Sequence, residues 1–536
     1  MTEIHTREAR EEDTEEIRAI FQDTYGEAYP FQDIYDTSWL KRAIFGDHML
    51  MVVAEDADSG SILGTGSVDL DIGAHSDLIG EFSRLVVHAD ARGQGVGRAI
   101  MQYRIELVQE RLHMGLANNR TTHPYSQKIS EKFGFAPVGF LPLKHRIGDR
   151  ESVAVFARHF GLALELRKNR PRVAPLVAPI AQVAMSNLGM DPDVVVDEST
   201  AAYSSDADFE LSEFEAEGMP DLLRIERGRV REREVFGPIR LHYGFFQLAA
   251  REANYLVARR PGSPREAISA ALGFLHDELE GTIRVFELIA ASDEAIRHLF
   301  EQLLGRARDL GVEYIEVDVN AQAPRLQRTL LELDFLPAAY VPAMVFHEVE
   351  RLDVVKMVHL LDAASPDRPE LIDTMDPVFD AVMKGFRTHA VLPRLAASMK
   401  ELLIFTGLTD DQALRVAGAM SVRDYRVGEE LFAWDESAEE LFVLIEGDVE
   451  VVLPTGLRVG KVGRGEVVGE NAMLARTPHS ASVQAVRAVT AGVLTREGLN
   501  ELTERRPDIA VVLYRNLAKG LGEKLRQADT ELDGQP

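Results

Sequence analysis

Arg92-Gly93-Gln94-Gly95-Val96-Gly97 gathers the residue types that hold phosphate. Glycines at 93, 95 and 97 leave backbone N–H groups unshielded. A helical pattern follows at once, with Val96, Ile100, Tyr103 and Leu107 on one face. Open amides at a helix N-terminus attract phosphate or pyrophosphate, and Arg92 and Arg98 add charge. The spacing lacks the Lys-Ser/Thr of a P-loop and departs from the dinucleotide pattern Gly-x-Gly-x-x-Gly. Proton-handling groups stand on either side. Glu81 heads the strand that feeds the loop, and His123 and Tyr125 open a later helix, 124–132, that closes with Gly134-Phe135.

The elements that must position these groups belong to a long chain. At 536 residues it exceeds one core, and about three domains are expected. The balance of 59 basic against 87 acidic residues, net −28, disfavours nucleic acid and anionic membranes as partners. With no cysteine, disulfides, thiolate zinc sites and a thiol nucleophile are excluded. No metal site is expected. The polar start Met1-Thr2-Glu3-Ile4-His5 carries no secretory pattern, and the uncharged run Val173–Met190 contains Pro175, Pro179, Gln182, Ser186 and Asn187. That run reads as a buried connector rather than a membrane span, which points to a cytoplasmic protein.

With its flanks, from about Ile4 to Phe140, the loop resembles the coenzyme A pyrophosphate loop of the GNAT acetyltransferase superfamily. The resemblance rests on strand, loop and helix in order, on an opening helix with Ile17, Ile20 and Phe21, and on the helix ending in Gly134-Phe135. It implies acetyl-CoA as co-substrate. Its pantetheine arm would lie along Leu85, Val86 and Val87. Its pyrophosphate would rest on the amides of Gln94, Gly95 and Gly97, inside the cradle Arg92, Gly93, Val96 and Arg98. The implied reaction is attack of an amine, on a small molecule or a protein lysine, at the thioester carbonyl. Glu81 is the candidate base, with an ordinary strand-end carboxylate as the alternative. Many relatives carry a tyrosine acid four residues before the Gly-Phe closure; this chain has Ser130 there, so His123 and Tyr125 are the candidate acids. Tyr25, Tyr29, Phe31, Tyr35 and Trp39 form either an acceptor wall or core.

The chain repeats at a spacing of 200 residues: Pro124, Gln127, Phe135 and Pro142 recur as Pro324, Gln327, Phe335 and Pro342. Residues 216–350 are therefore read as a degenerate GNAT-like domain. Its loop has become Ala290-Ala291-Ser292-Asp293-Glu294, whose side chains and carboxylates would reject a pyrophosphate. The acidic stretch Asp206–Glu217 reads as a solvated linker or edge segment. The run Arg224, Arg227, Arg229, Arg231 and Arg233, interleaved with glutamates, reads as a salt-bridged surface.

Gly428-Glu429-Glu430-Leu431-Phe432, the strand Leu441–Val449 and Gly469-Glu470-Asn471-Ala472-Met473-Leu474 are short strands punctuated by glycine. Residues from about 400 to 525 resemble a cyclic-nucleotide-binding domain of the catabolite-activator type. That resemblance implies a pocket at Gly469, Glu470, Ala472, His479 and Ser480, with Glu470 on the ribose. His479 stands where the family's phosphate-binding arginine is expected. A neutral imidazole has no fixed charge, so the reading favours an oligomerisation or sensor scaffold, with cyclic nucleotide as the alternative. The helix from Ile509, carrying Leu513, Leu517, Leu521 and Leu525, resembles the family's subunit-pairing helix and implies a homo-oligomer.

The expected fold is multidomain α+β. It runs as a GNAT domain (1–150), a connector (151–215), the degenerate GNAT-like domain (216–350), helical connectors (351–399), and a β-barrel or jelly-roll cyclic-nucleotide-binding-like domain with a C-terminal helix (400–536). The expected activity is N-acetyl transfer regulated or assembled through the last domain. The alternative is a non-catalytic scaffold or sensor built from worn modules.

Overall fold

Buried apolar strands broken by amphipathic helices, twice over, build one shared sheet. The computed structural model describes residues 3–70, 77–213, 233–237, 253–264, 267–347, 349–361, 369–386, 402–437 and 439–533. They form two units, Met1–Val382 and Met383–Pro536.

In the first unit, the first repeat runs β1 (Ile4–Glu8), α1 (Thr14–Tyr25), α2 (Thr37–Phe45), β2 (Met49–Asp56), β3 (Ile62–Asp69), β4 (Ile79–Val87), α3 (Val96–Val108), β5 (Met114–Arg120), α4 (Tyr125–Lys132), β6 (Ala136–Ile147) and β7 (Asp149–His159). A connector follows, with paired two-residue strands β8 (Arg172–Val173) and β9 (Val195–Val196) around α5 (Ala178–Asn187). The second repeat runs β10 (Glu210–Glu213), β11 (Val235–Phe236), β12 (Ala253–Arg259), β13 (Ile268–Asp277), β14 (Thr282–Ala290), α6 (Ile296–Asp309), β15 (Tyr314–Asn320), α7 (Pro324–Glu332), β16 (Leu336–His347) and β17 (Glu350–Leu360). The strand order is β1-β2-β3-β4-β5-β7-β6-β16-β17-β15-β14-β13-β12-β10, with β11 added beside β15. In each half a helix, α3 or α6, crosses over to make a parallel pair, β4–β5 and β14–β15.

The halves join where β6 meets β16, with Gly139 opposite Ala339. A Cβ on Gly139 would lie 2.0 Å from that of Ala339, so only glycine fits. The two connectors reach across in matching fashion. Gln127 of α4 donates to Arg120 O and Glu370 O and accepts from Ile372 N. Gln327 of α7 donates to Asn320 O and Ala321 O and accepts from Ala174 N. The segment after each repeat thus clasps the other repeat, and the helix α8 (376–386) continues this by setting Phe379 edge-on to Phe140 at 4.9 Å.

Several sequence boundaries move. β7 carries the first repeat's sheet to His159, and β10 already pairs with β12 at Glu210. Residues 350–360, expected as helical connector, are the strand β17, wedged between β16 and β15. It is buried on both faces, so it shows no alternation to mark it as a strand. Of the arginine run, Arg224 to Arg231 lie outside the described residues.

The second unit stacks two four-stranded sheets rather than closing a barrel. One is β18 (Met420–Tyr425), β25 (Val489–Thr495), β20 (Glu440–Glu446) and β23 (Val467–Val468). The other is β19 (Glu430–Phe432), β24 (Ser482–Ala485), β21 (Val449–Val452) and β22 (Arg458–Val462). Strands of two to seven residues leave both sheets with free edges, a jelly-roll-like arrangement. The helices are α9 (Asp410–Gly418), α10 (Glu470–Ala475), α11 (Arg496–Arg505) and α12 (Pro507–Asp533). On α12, Leu513 and Leu517 are buried in the unit's own core with Leu402, Ile404 and Phe405, so these two leucines are not free to face another subunit. Leu525 is exposed.

Candidate active site

The site begins with a strand that parts from its neighbour. β4 follows β3 along its length but pairs with β5 only from Ile79 to Glu81. At Arg84 the backbone enters the left-handed region (φ 51°), the register against β3 shifts, and β4 turns away. Arg104, buried on α3, donates to Ser67 O at 2.9 Å and Ser83 O at 3.0 Å, which fixes the bulge from both sides. Beyond Leu116, β5 is paired to β7 alone. An open slot therefore runs between Leu85–Val87 and the second half of β5.

The glycine loop closes one end of the slot. Gly93 and Gly95 have φ of 80° and 95°, and a Cβ on either would meet nothing within 4 Å. Glycine is needed there for conformation, and the space outside is open. Gly95 caps α3. The amides of Gly93, Gly95, Val96 and Gly97 donate to no acceptor among the described residues, whereas that of Gln94 turns back to Ala91 O at 3.4 Å. Of the amides expected in the cradle, that of Gln94 is thus directed back into the chain. Arg92 and Arg98 are exposed, and Arg92 Nε reaches Val87 O at 3.3 Å. The donors, the slot and the flanking charge fit a pantetheine diphosphate.

Glu81 lies at the fork and accepts from Asn118 Nδ2 of β5 at 2.8 Å. Ser130 is buried and exchanges hydrogen bonds with the Asn119 side chain at 3.0 and 3.3 Å, so it is a packed partner of β5 rather than an acid. His123 is held below its usual pKa by burial and by Arg120. Its Nδ1 is buried with no partner among the described residues, and a neutral imidazole is a proton acceptor, not an acid. Tyr125 is 70% exposed, with its ring 5.3 Å from that of His123. His123 and Tyr125 are thus together, and among the described residues the side-chain partner of Glu81 is Asn118 rather than either of them.

The aromatic group divides. Tyr29 is buried with Phe21, and Tyr25, Tyr35 and Trp39 pack against the same core. Phe31 stays 42% exposed. The Arg84 guanidinium lies 5.2 Å from its ring, and His145 of β6 meets it edge-on at 6.0 Å. Arg84 is tied to Asp69 at 2.6 Å.

The second repeat has lost this site physically. In place of the glycine turn, Asp293 and Glu294 pair with Arg325 and Arg260. β11 fills the fork: Val235 and Phe236 pair with Val319 and Asp318 of β15, and a Cβ on Gly237 would sit 2.5 Å from Phe286 Cα of β14. A stretch of this chain occupies the place that a pantetheine arm would need. Two short apolar residues amid polar sequence gave no sign of it.

In the second unit, Gly469 (φ 85°) caps α10 and Ala472 is buried, while Arg476 and Ser480 are exposed. Glu470 is buried and accepts from Lys524 Nζ of α12 at 2.5 Å. His479 stacks on Phe432 with centroids 3.8 Å apart, and burial holds its imidazole below the usual pKa, hence neutral. It lines a pocket of about 370 Å³ whose rim carries Glu436, Glu439, Glu440 and Glu497. Glu470 is taken by a lysine, and His479 offers a cyclic phosphate no charge. These residues do not fit a tightly held cyclic nucleotide. Sequence reading passed over Asn118, Arg104 and Lys524, whose partners lie 37, 37 and 54 residues away.

A strand forked beside a glycine-capped helix is the frame of an acyltransferase of the coenzyme A type. Residues 47–137 match the family model of the acetyltransferase (GNAT) domain, and residues 422–506 match that of the cyclic nucleotide-binding domain. The chain therefore contains a GNAT acetyltransferase domain and a C-terminal cyclic nucleotide-binding domain. Among curated proteins it is similar to Glutaminase 1 of Bradyrhizobium diazoefficiens (25% identity over 267 residues, 46% of this chain and 43% of that one). It is also similar to the Cyclic AMP receptor protein of Thermus thermophilus (31% over 140 residues, 25% and 62%). The chain spans less than two thirds of the length of each. Similar solved structures include a GNAT superfamily phosphinothricin acetyltransferase from Sinorhizobium meliloti in complex with AcCoA (21% identity, 30% of this chain and 90% of that one, TM-score 0.28). Another is a cyclic nucleotide-binding domain from Methylobacillus flagellatus (21%, 26% and 86%, TM-score 0.25). Among the described residues no helix is long and apolar enough to cross a membrane, and no group of three or more His, Asp or Glu could hold a metal.

Proposed function

We propose that the first repeat transfers an acetyl group from acetyl-CoA to an amine, and that the C-terminal unit regulates or assembles this activity. The observation that carries the proposal is the conjunction of the β4–β5 fork with four amides, at Gly93, Gly95, Val96 and Gly97, that find no acceptor among the described residues. The diphosphate takes those amides, with Arg92 and Arg98 beside it. Such charge-assisted contacts contribute about 1.5–3 kcal/mol each. The pantetheine arm lies against Leu85, Val86 and Val87. The amine nitrogen attacks the thioester carbonyl, the carbon–sulfur bond breaks, and the nitrogen's surplus proton passes to Glu81, directly or through water. Asn118 keeps that carboxylate oriented. With Ser130 bonded to Asn119 and His123 neutral, the departing thiolate takes its proton from Tyr125 or from water at the exposed edge.

Calorimetry with acetyl-CoA on the full chain, together with a radiolabelled acetyl-transfer assay on amines and proteins, tests the reading. Loop-dependent turnover supports it; absence of acetyl-CoA binding ends it. The second reading, a scaffold without catalysis, draws on the plugged second repeat and on the engaged Glu470 and His479. Turnover lost in a Gly95→Glu variant would retire it.

A further inference from the structure

The cavity of the second unit is lined by residues that neither the coenzyme site nor a cyclic nucleotide uses. Its apolar floor comes from β19 and β20, where Leu431, Phe432 and Phe442 are buried. The Phe432 ring lies 5.6 Å from that of Phe442 and 3.8 Å from the imidazole of His479, centroid to centroid. At about 370 Å³ the space is that of a small-ligand pocket. His479 is the polar group in this floor and is only 5% exposed. Its ring makes no hydrogen bond among the described residues. His123, His159 and His298 each carry an orphaned nitrogen sealed from solvent. The nitrogens of His479 are not sealed in this way, so the polar edge of its ring opens on the cavity that it lines. Burial holds the imidazole neutral against the pull of Glu436, which leaves one acceptor nitrogen and one N–H.

The mouth of the cavity is unevenly charged. Glu436, Glu439, Glu440 and Glu497 line it together with a single cation, Arg496. That arginine is spent on Glu439, Nε to Oε2 at 3.1 Å, and on Met473 O at 3.0 Å. Glu440 is paired by Arg423, whose Nη1 lies 2.7 Å from Oε2. The Glu436 carboxylate accepts from Ala433 N at 2.8 Å. Glu497, in the first turn of α11, takes no partner among the described residues. Neither Glu436 nor Glu497 has a cationic partner there, so two of the four carboxylates are uncompensated.

The geometry points to a binding site for a small organic cation, a primary ammonium carried on a short aromatic or aliphatic body, in place of a cyclic nucleotide. The ammonium lies between Glu436 and Glu497 and gives one N–H to the acceptor nitrogen of His479. Its apolar body packs on Leu431, Phe432 and Phe442, and the rings favour a positive charge near their faces. An anion entering the same space meets two unpaired carboxylates and no unspent cation. The site stands apart from the acetyltransferase reading. Where that reading also holds, the pocket separates an amine from its acetylated product, which has lost the charge.

The test is calorimetry on the full-length chain with phenethylammonium, 2-phenylethanol and 3-phenylpropionate, which share a phenyl body and end in a positive, a neutral and a negative group. The amine is expected to bind about tenfold or more tighter than the alcohol, and the carboxylate more weakly than either. Glu436→Gln combined with Glu497→Gln is expected to lose about 10–100-fold on the amine while changing less than threefold on the alcohol. Both positions are exposed, and a melting temperature near that of the wild type shows that the variant folds. Absence of amine binding, an amine no tighter than the alcohol, or cyclic AMP binding more tightly than the amine overturns the proposal. So does amine affinity unchanged in the double variant, which would place the amine elsewhere on the chain. Should the double variant melt early, Glu497→Gln alone gives the same comparison. Titration of the same samples with acetyl-CoA reports on the transferase reading separately.

Discussion

Replacing Gly95 with glutamate separates backbone strain from loss of the coenzyme grip. Gly95 sits at φ 95° with open space where a Cβ would go. A side chain there meets no wall, and its cost to folding is the left-handed conformation alone, about 1–2 kcal/mol. The effect on coenzyme is larger. A carboxylate beside the α3 N-terminus faces the diphosphate, and at about 5 Å with an effective dielectric near 20 the repulsion is about 3 kcal/mol. Losing one charge-assisted amide contact adds about 1.5–3 kcal/mol. Together, about 4.5–6 kcal/mol, these weaken acetyl-CoA binding by roughly 2,000- to 20,000-fold. Gly95→Ala carries the same strain without the charge and should bind within about tenfold of wild type. Calorimetry on all three proteins, with melting temperatures alongside, makes the comparison. If Gly95→Glu binds within threefold of Gly95→Ala, the diphosphate is not at this loop and the reasoning fails.

Other consequences are equally specific. Asn118→Leu removes the hydrogen bond to Glu81 and should lower kcat about 10–100-fold with acetyl-CoA affinity intact, as steady-state kinetics and calorimetry would show. Gly139→Leu forces side-chain atoms into Ala339; it should cost several kcal/mol, about 3 or more, and appear as a lower melting temperature of the first unit. His159 sits at the same seam, its Nε2–H donating to Pro342 O at 2.8 Å. Burial, with a smaller contribution from Arg351 and against the Pro342 bond, pushes its pKa down to about 4. Because the folded value lies below the unfolded one, its contribution is present above about pH 6.5 and is lost as pH falls toward 4, up to about 3 kcal/mol. His159→Gln should flatten that part of the pH–stability curve. His479→Arg combined with Lys524→Gln restores a phosphate-binding charge and frees Glu470, and should raise cyclic AMP affinity about tenfold or more by calorimetry; an unchanged affinity would show that the pocket is blocked by something else.

The parts of this architecture that depend on local spacing were legible in the chain. Three glycines after an apolar strand located the loop, and Gln127 with Gln327 betrayed the repeat because both perform the same helix-to-connector bonding. What depends on long-range packing was not legible. β17 carries no alternation because both its faces are buried, so Leu352 to Leu360 looked helical. β11 is two apolar residues that gain their place only by filling a fork made elsewhere. The sequence showed His479 in place of an arginine, but its stacking on Phe432 and the capture of Glu470 by Lys524 required the three-dimensional pairing.

The central claim is a single coenzyme site per chain, open in the first repeat and filled by β11 in the second. Titration of the full-length protein with acetyl-CoA in a calorimeter measures it directly. The account predicts saturable binding with one equivalent per chain. No binding, or two equivalents, would contradict it.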